Sequence, residues 1–229
     1  MRGRAGAITV GLGVVLSACA GGVAATEGSS PASTGPTASA DVITPGEGGY
    51  SGLVLEHPVP LVDFTLTDQH GRPYRFADRA REASLTLLAF GYTHCPDICP
   101  GTMAQLAIAL RELPPEVASK VEVVFVTVDP ERDTPEALRD WIAHFDERFS
   151  ALSGPDRKIV RLQRSLGIRP ATREDLGGGQ YAMNHWAAVL AFTPDGLAHV
   201  TFPFGMTVEQ LGHDIVELVR RGFVEEGTG

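Results

Sequence analysis

Apolar and polar positions follow distinct patterns along the larger, later part of the chain. Two nearly continuous apolar runs, residues 84–93 and 121–129, are typical of strands that are buried on both faces of a sheet. Residues 64–76 contain two short β-prone runs around a polar turn, which predicts a hairpin. Between the apolar runs, residues recur at the spacing of one helix face: Met103, Leu106, Ala107, Leu110 and Leu113. The pattern therefore predicts a hairpin followed by a strand–helix–strand unit.

The remaining sequence predicts three more helices and a second hairpin. Thr134 caps one helix, another covers about residues 155–166, and the last begins at Thr207 with a capping-box pattern. Residues 184–204 predict a hairpin that turns at a Pro-Asp-Gly sequence. Parallel and antiparallel strands with covering helices predict an α/β fold. In detail, the order resembles a thioredoxin-like fold: a central mixed sheet flanked by helices, with an additional N-terminal β-hairpin.

The first 52 residues differ in composition from the rest. A basic start and a short apolar run precede Leu16-Ser17-Ala18-Cys19, a pattern that resembles a bacterial lipoprotein signal. We therefore expect residues 1–18 to be a signal peptide and Cys19 to carry a lipid; the alternative is an ordinary secretory signal with an incidental cysteine. Of residues 20–49, 24 are Gly, Ala, Ser, Thr or Pro, so residues 19–52 predict a flexible linker. The folded domain would then be residues 53–229.

Composition narrows the function classes. The hydrophobic fraction of 43% and charged fraction of 21% are typical of a folded globular domain. The formal net charge of −9 argues against nucleic-acid binding, which needs a basic surface. The sequence has no stretch of 18 apolar residues, so it does not predict a membrane-spanning helix. We therefore expect attachment to the membrane through the lipid alone.

Cys95 and Cys99 lie in the segment FGYTHCPDICP, at the predicted strand-to-helix junction. A four-residue step places two side chains on one face of a helical turn, and a helix N-terminus lowers thiol pKa, which predicts two low-pKa sulfurs. The pair could be a thiol–disulfide couple, a metal site or two inert thiols. Its three-residue gap departs from the Cys-x-x-Cys of redox enzymes. Two thiolates and one imidazole suit Cu(I), whereas zinc normally takes a fourth protein ligand.

A histidine late in the chain is the candidate third ligand. Of the seven histidines, His185 follows a glycine run, Gly177 to Gly179, and stands at the start of a predicted late strand. In the predicted fold, that end of the strand lies beside the cysteine junction. The glycines predict a flexible loop, which would let His185 move toward and away from a metal ion.

Three segments together resemble the Sco/SenC family of thioredoxin-like copper proteins: FGYTHCPDICP, VFVTVDPERDTPEAL and NHWAAVLAFTPDG. The resemblance covers about residues 55–222 and implies that Cys95, Cys99 and His185 bind copper, as Cu(I) and in some states Cu(II). It implies a metallochaperone on the extracytoplasmic face of the bacterial cell membrane that helps assemble the CuA centre of cytochrome c oxidase. Its partners would be the copper-accepting oxidase subunit and other extracytoplasmic copper chaperones or thiol reductases.

The resemblance also implies an alternative function, and this chain departs from the family's sequence pattern at several positions. The alternative task is reduction of the cysteines of the oxidase copper site by a thiol–disulfide oxidoreductase. Against this alternative, residues 172–185 lack the proline that commonly faces such cysteine pairs. Asn184 stands where family members often have Asp, and the next residue after the histidine, Trp186, is bulky. Three aspartates, Asp97, Asp129 and Asp133, are candidates for orienting the ligands, or alternatively are ordinary turn and cap residues.

Overall fold

The computed structural model describes residues 49–224, which form ten strands and six helices. The strands are β1 (Leu53–Pro60), β2 (Thr65–Asp68), β3 (Pro73–Arg75), β4 (Leu85–Gly91), β5 (Val121–Thr127), β6 (Ser150–Ser153), β7 (Thr172–Gly177), β8 (Gln180–Asn184), β9 (Ala188–Phe192) and β10 (Leu197–Pro203). The helices are α1 (Phe76–Glu82), α2 (Ile98–Glu112), α3 (Pro115–Ala118), α4 (Pro135–Ile142), α5 (Asp156–Ser165) and α6 (Val208–Arg221).

Eight of the strands form one mixed sheet in the order β1-β10-β9-β4-β5-β6-β2-β3. β5 pairs in parallel with both β4 and β6, and the other pairs are antiparallel. All seven residues of β4 are buried, as its continuous apolar run predicts for a central strand. The register pairs Gly91 with Thr127, so β4 and β5 end at the same edge of the sheet. The segment that follows β4, which contains both cysteines, therefore begins beside the segment that follows β5.

Most predicted elements are confirmed. β2 and β3 pair as the predicted hairpin, and β9 and β10 form the later one. The Thr134 side chain accepts a hydrogen bond from the Ala137 N–H at the start of α4. Thr207 and Gln210 form the capping box of α6, whose C-cap is Gly222. The mixed α/β architecture with a central sheet is thus the predicted one.

Two predictions about residues 172–187 are wrong. The predicted flexible loop is a hairpin, β7–β8, whose turn contains Gly177, Gly178 and Gly179 at positive φ. The late strand begins at Ala188 rather than at residue 184, because β8 ends at Asn184 and a short link separates the two strands.

The start of the domain also differs from the predicted boundary at residue 53. Tyr50 is buried, and the N–H groups of Ser51 and Gly52 donate to the buried Asp214 carboxylate at 2.9 and 2.7 Å. The domain's contacts therefore begin at least three residues before Leu53. The predicted signal peptide, Cys19 and nearly all of the linker lie outside the described residues. Within residues 49–224, no helix is both long and apolar enough to cross a membrane.

Candidate metal centre

The two cysteines lie where the sheet passes into α2. Cys95 is in the loop after β4, and Cys99 is the second residue of α2. Cys99 is buried, with 4% of its surface exposed, whereas Cys95 is half-buried. Both are free thiols. One sulfur is therefore enclosed by the core and the other reaches the surface.

The Cys95 sulfur caps the start of α2. It accepts a hydrogen bond from the Cys99 N–H at 3.4 Å, one of the N–H groups that a helix start leaves without an internal partner. Asp97 occupies the N-cap position, yet its exposed side chain makes no capping hydrogen bond. Pro100, in the first turn, has no N–H that would need a partner. Local sequence thus fixes one thiol against the backbone of the other.

Gly91, the last residue of β4, makes room for the Cys99 side chain. A Cβ atom at this position would lie 2.7 Å from the Cys99 sulfur and 2.7 Å from the Phe125 ring. Only a residue without a side chain therefore allows the sulfur to pack against the end of β4. Sequence reasoning missed this role, although Gly91 lies within the quoted cysteine motif.

His185 completes the group from the link between β8 and β9. Its Nε2 atom lies 3.4 Å from the Cys99 sulfur, and its Nδ1 atom lies 2.8 Å from the Trp186 carbonyl oxygen. Because a carbonyl only accepts hydrogen bonds, Nδ1 carries the proton and Nε2 presents its lone pair to the sulfurs. The Tyr92 ring packs edge-on against the imidazole, with centroids 5.8 Å apart. Tyr92, like Gly91, was not predicted as part of the site.

Burial controls the charge state of the group. Burial raises the pKa of the Cys99 thiol far above its usual value, and the neighbouring Cys95 adds to the shift. The predicted low pKa is therefore wrong for Cys99, because loss of solvent outweighs the effect of the helix N-terminus. Burial also lowers the pKa of His185, which keeps the imidazole neutral near pH 7. Without metal, Cys99 is a thiol facing a neutral imidazole.

The geometry fits a single soft metal ion. The two sulfurs and one histidine nitrogen all lie within 4.8 Å of one another. Three donors bonded to one ion at about 2.0–2.3 Å in a plane lie roughly 3.5–4 Å apart. Small side-chain movements would therefore bring all three donors to bonding distance. Two thiols and an imidazole are soft ligands, which suit Cu(I) better than hard cations.

The predicted aspartates surround the group without joining it. Asp133 is fully buried and accepts from the Thr93 N–H at 3.0 Å, the Thr93 hydroxyl at 2.6 Å and the Thr127 hydroxyl at 2.5 Å. It thereby ties the cysteine loop to the end of β5. Asp129, also buried, accepts from Arg132 and from the Tyr181 hydroxyl.

His94, next to Cys95, does not join the group. Its ring is exposed and hydrogen-bonds with the Thr93 hydroxyl at 3.0 Å. Within the described residues, Cys95, Cys99 and His185 form the one cluster of three metal-ligating side chains.

Comparison with known proteins agrees with this geometry. The family model described as SCO1/SenC matches residues 58–220. The mitochondrial SCO2 homolog of Bos taurus is 34% identical over 160 residues, which are 69% of this chain. The chain spans 58% of that relative's length.

Two solved structures of similar sequence share the fold. ScoI of Bradyrhizobium japonicum, solved with copper bound, is 33% identical with a TM-score of 0.62, over 69% of this chain and 98% of that one. Apo Sco1 of Thermus thermophilus is 30% identical with a TM-score of 0.65, over 74% of this chain and 96% of that one. The family match begins within β1 and ends one residue before the end of α6, so it includes every element of the metal centre. The chain therefore belongs to the SCO1/SenC family.

Proposed function

We propose that this chain binds Cu(I) through Cys95, Cys99 and His185 and delivers it to a copper-accepting protein. The observation that carries the proposal is the convergence of two sulfurs and one imidazole nitrogen within 4.8 Å. These donors come from segments that are 86 residues apart in the sequence, so the fold itself assembles the group. Membership of a family in which a relative is solved with copper bound supports the choice of metal.

Release by ligand exchange follows from the unequal burial of the two sulfurs. Cys95 is half-buried and lies at the surface, so an acceptor thiolate can approach copper from its side. In each exchange step one acceptor sulfur–copper bond forms and one bond to the site breaks. The copper remains Cu(I), and the departing thiolate takes up a proton. Cys99, enclosed against Gly91, would be the last donor to leave.

The acceptor and location are proposed from family membership. The acceptor would be the CuA-bearing subunit of cytochrome c oxidase, on the extracytoplasmic face of a bacterial cell membrane. A signal peptide at residues 1–18 would direct export and be cleaved off, and a lipid on Cys19 would anchor the chain. A 30-residue linker averages roughly 30 Å end to end. That reach would let the copper domain, residues 53–229 with its contacts from Tyr50, search the membrane surface near its anchor.

A titration of the reduced protein with Cu(I) against a competing chelator tests the ligand set. We expect one Cu(I) per chain, and an affinity about 10–100-fold lower in His185→Ala, because one donor is lost. His94→Ala is the matched control, since His94 is next to Cys95 but exposed and outside the group. Unchanged affinity in His185→Ala would exclude His185 as a ligand.

A second candidate function is reduction of the acceptor's cysteines. The free thiols of Cys95 and Cys99 lie close enough for a disulfide to form with small movements, which favours this candidate. Their oxidation would release two electrons and two protons and reduce one acceptor disulfide to two thiols. Exchange needs only the two sulfurs, so it would continue in His185→Ala. One encounter with an acceptor could transfer either copper or electrons but not both, because a Cys95–Cys99 disulfide cannot bind Cu(I).

A further inference from the structure

The hairpin that carries His185 forms a sheet of its own. Across residues 49–224, β7 and β8 pair only with each other and not with the eight-stranded sheet. β7 is exposed along its whole length, and only the central residues of β8 are partly buried. Main-chain pairing therefore does not hold this hairpin against the domain. Side-chain contacts must determine where the hairpin, and with it His185, lies.

Met183 of β8 packs against the core, and Tyr181 makes the polar contacts between the hairpin and the turn after β5. Its hydroxyl donates to an Asp129 carboxylate oxygen at 2.9 Å. The central guanidinium carbons of Arg132 and Arg173 lie 3.6 and 3.5 Å from the centre of its ring. Two guanidinium groups cannot share one face of a ring at that distance, so the ring is stacked between them. Arg132 also donates to the Tyr181 carbonyl oxygen at 3.2 Å.

The other side of this contact is fixed to the main sheet. Asp129 is 3% exposed, and its N–H donates at 2.9 Å to the hydroxyl of Thr127, the last residue of β5. Its carboxylate also accepts from the Arg132 side chain. The N–H groups of Arg132 and Asp133 both donate to the Asp129 carbonyl oxygen. The turn after β5 is therefore held by several hydrogen bonds at the end of the main sheet, and the hairpin contacts it there.

A further contact of Arg132 connects this group of residues to the His185 imidazole through the Tyr92 ring. Tyr181 lies four residues before His185, a span of roughly 13 Å in an extended strand. The Arg132 guanidinium is also 5.7 Å from the Tyr92 ring, which in turn packs edge-on against His185. Arg132 thus touches one aromatic ring on the hairpin and another beside the metal ligand.

We propose that Asp129, Arg132 and Tyr181 form a clamp that positions His185 over the cysteine pair and so sets how tightly Cu(I) is held. This inference rests on the proposed ligand set. The three are positioning residues, since they act through His185 and do not touch the metal.

Removal of one hydroxyl group tests the clamp with little change in packing. Tyr181→Phe keeps the ring between the two guanidinium groups but loses the hydrogen bond to Asp129. We expect the Cu(I) affinity of the reduced protein to fall about tenfold, because loss of an orienting partner typically weakens a metal site by that order. Arg132→Lys should also lower the Cu(I) affinity, since an ammonium group cannot stack on the Tyr181 ring as a planar guanidinium does.

The decisive measurement is a double-mutant cycle with His185→Ala. We expect Tyr181→Phe to weaken Cu(I) binding when His185 is present and to have no effect in the His185→Ala background, where no imidazole remains to be positioned. An equal loss in both backgrounds would overturn the clamp, because it would indicate a general structural effect. So would wild-type affinity in Tyr181→Phe when His185→Ala alone weakens binding. Wild-type affinity in His185→Ala itself would refute the proposed ligand set, and the clamp with it.

A readout without metal and a matched control complete the test. In the reduced, metal-free protein, Tyr181→Phe should speed hydrogen exchange of the β7–β8 amides about tenfold and leave α2 unchanged. Unchanged exchange in the hairpin would contradict the clamp. Tyr74→Phe is the control, since the Tyr74 hydroxyl also donates to a carboxylate, Glu122, at 2.9 Å, but in another part of the sheet. It should change neither the Cu(I) affinity nor exchange in the hairpin.

Discussion

Replacement of Gly91 by alanine should disturb the metal centre at the point where the Cys99 sulfur packs against the end of β4. The added Cβ would lie 2.7 Å from both the Cys99 sulfur and the Phe125 ring, about 0.7 Å inside the 3.4 Å limit of ordinary contact. Neither atom can retreat freely, because Cys99 and Phe125 are 4% and 1% exposed. Metal–donor bond lengths in proteins vary by only about 0.2 Å. A sulfur displaced by several tenths of an ångström can therefore bind the ion only if the ion or the other two donors move with it.

The expected magnitudes follow from packing and from the unfolded chain. Overpacking costs about 1–3 kcal/mol of unfolding free energy, and alanine returns about 0.5–1 kcal/mol by restricting the unfolded backbone. The net loss of about 0–2.5 kcal/mol should lower the Tm by up to about 10 °C in a domain of this size. The Cu(I) affinity should fall about 10–100-fold, because the Cys99 sulfur no longer reaches its position.

Gly101→Ala in α2 is the matched control for Gly91→Ala. Its Cβ would meet only the ring of Phe204 at 3.2 Å, and that ring is 46% exposed and free to move. Alanine also favours the helix by up to about 1 kcal/mol. Chelator competition and thermal unfolding, applied to both variants, separate the two cases. The packing argument fails if Gly91→Ala keeps wild-type affinity and Tm, or if Gly101→Ala loses as much affinity.

Three further predictions concern the pH dependence of Cu(I) binding and two of the buried aspartates, Asp133 and Asp214. The raised pKa of Cys99 keeps this thiol protonated near pH 7, so Cu(I) binding must displace its proton. In chelator competition, the Cu(I) affinity should therefore rise about tenfold or more per pH unit between pH 6 and 8. An affinity that does not change with pH would contradict this prediction. Asp133→Asn should cost about 1–3 kcal/mol in urea unfolding and weaken Cu(I) binding, since one of the acceptors that hold Thr93 is lost; wild-type values for both would refute that role. Asp214→Ala should cost about 2–4 kcal/mol, because two backbone N–H groups lose their acceptor, yet leave the Cu(I) affinity of the folded protein unchanged.

Elements with local signals could be predicted from the sequence. The apolar run of β4, the capping residue Thr134 and the capping box at Thr207 each depend on residues close together in the chain. β1 could not be predicted in this way, because it pairs with β10, about 140 residues later, and its own residues are at most half-buried. Pairing across that distance leaves no periodic signal in either segment alone.

In the metal centre, too, the features with a local signal in the sequence could be predicted, and those that depend on distant residues could not. The two cysteines share one short motif, so their proximity follows from the sequence, and family resemblance points to His185. The roles of Gly91 and Tyr181 could not be predicted, because each depends on a neighbour distant in sequence: Phe125 for the glycine and Asp129 for the tyrosine. Three glycines suggested a loose loop, whereas they form only the turn of a hairpin that contacts the end of β5 through Tyr181.

The burial that contradicts the predicted thiol pKa also explains how such a site can both hold and release its ion. In the metal-free state, burial favours a neutral Cys99 thiol and a neutral imidazole, so neither of these two ligands carries an unpaired charge. Cu(I) supplies the positive charge that makes a buried thiolate favourable, and its departure makes that thiolate unfavourable again. In the proposed transfer, departure of Cu(I) would therefore be followed by proton uptake at Cys99, which would oppose rebinding. A thiol of low pKa at this position would stay deprotonated and would recapture the ion that the proposed function requires the site to transfer.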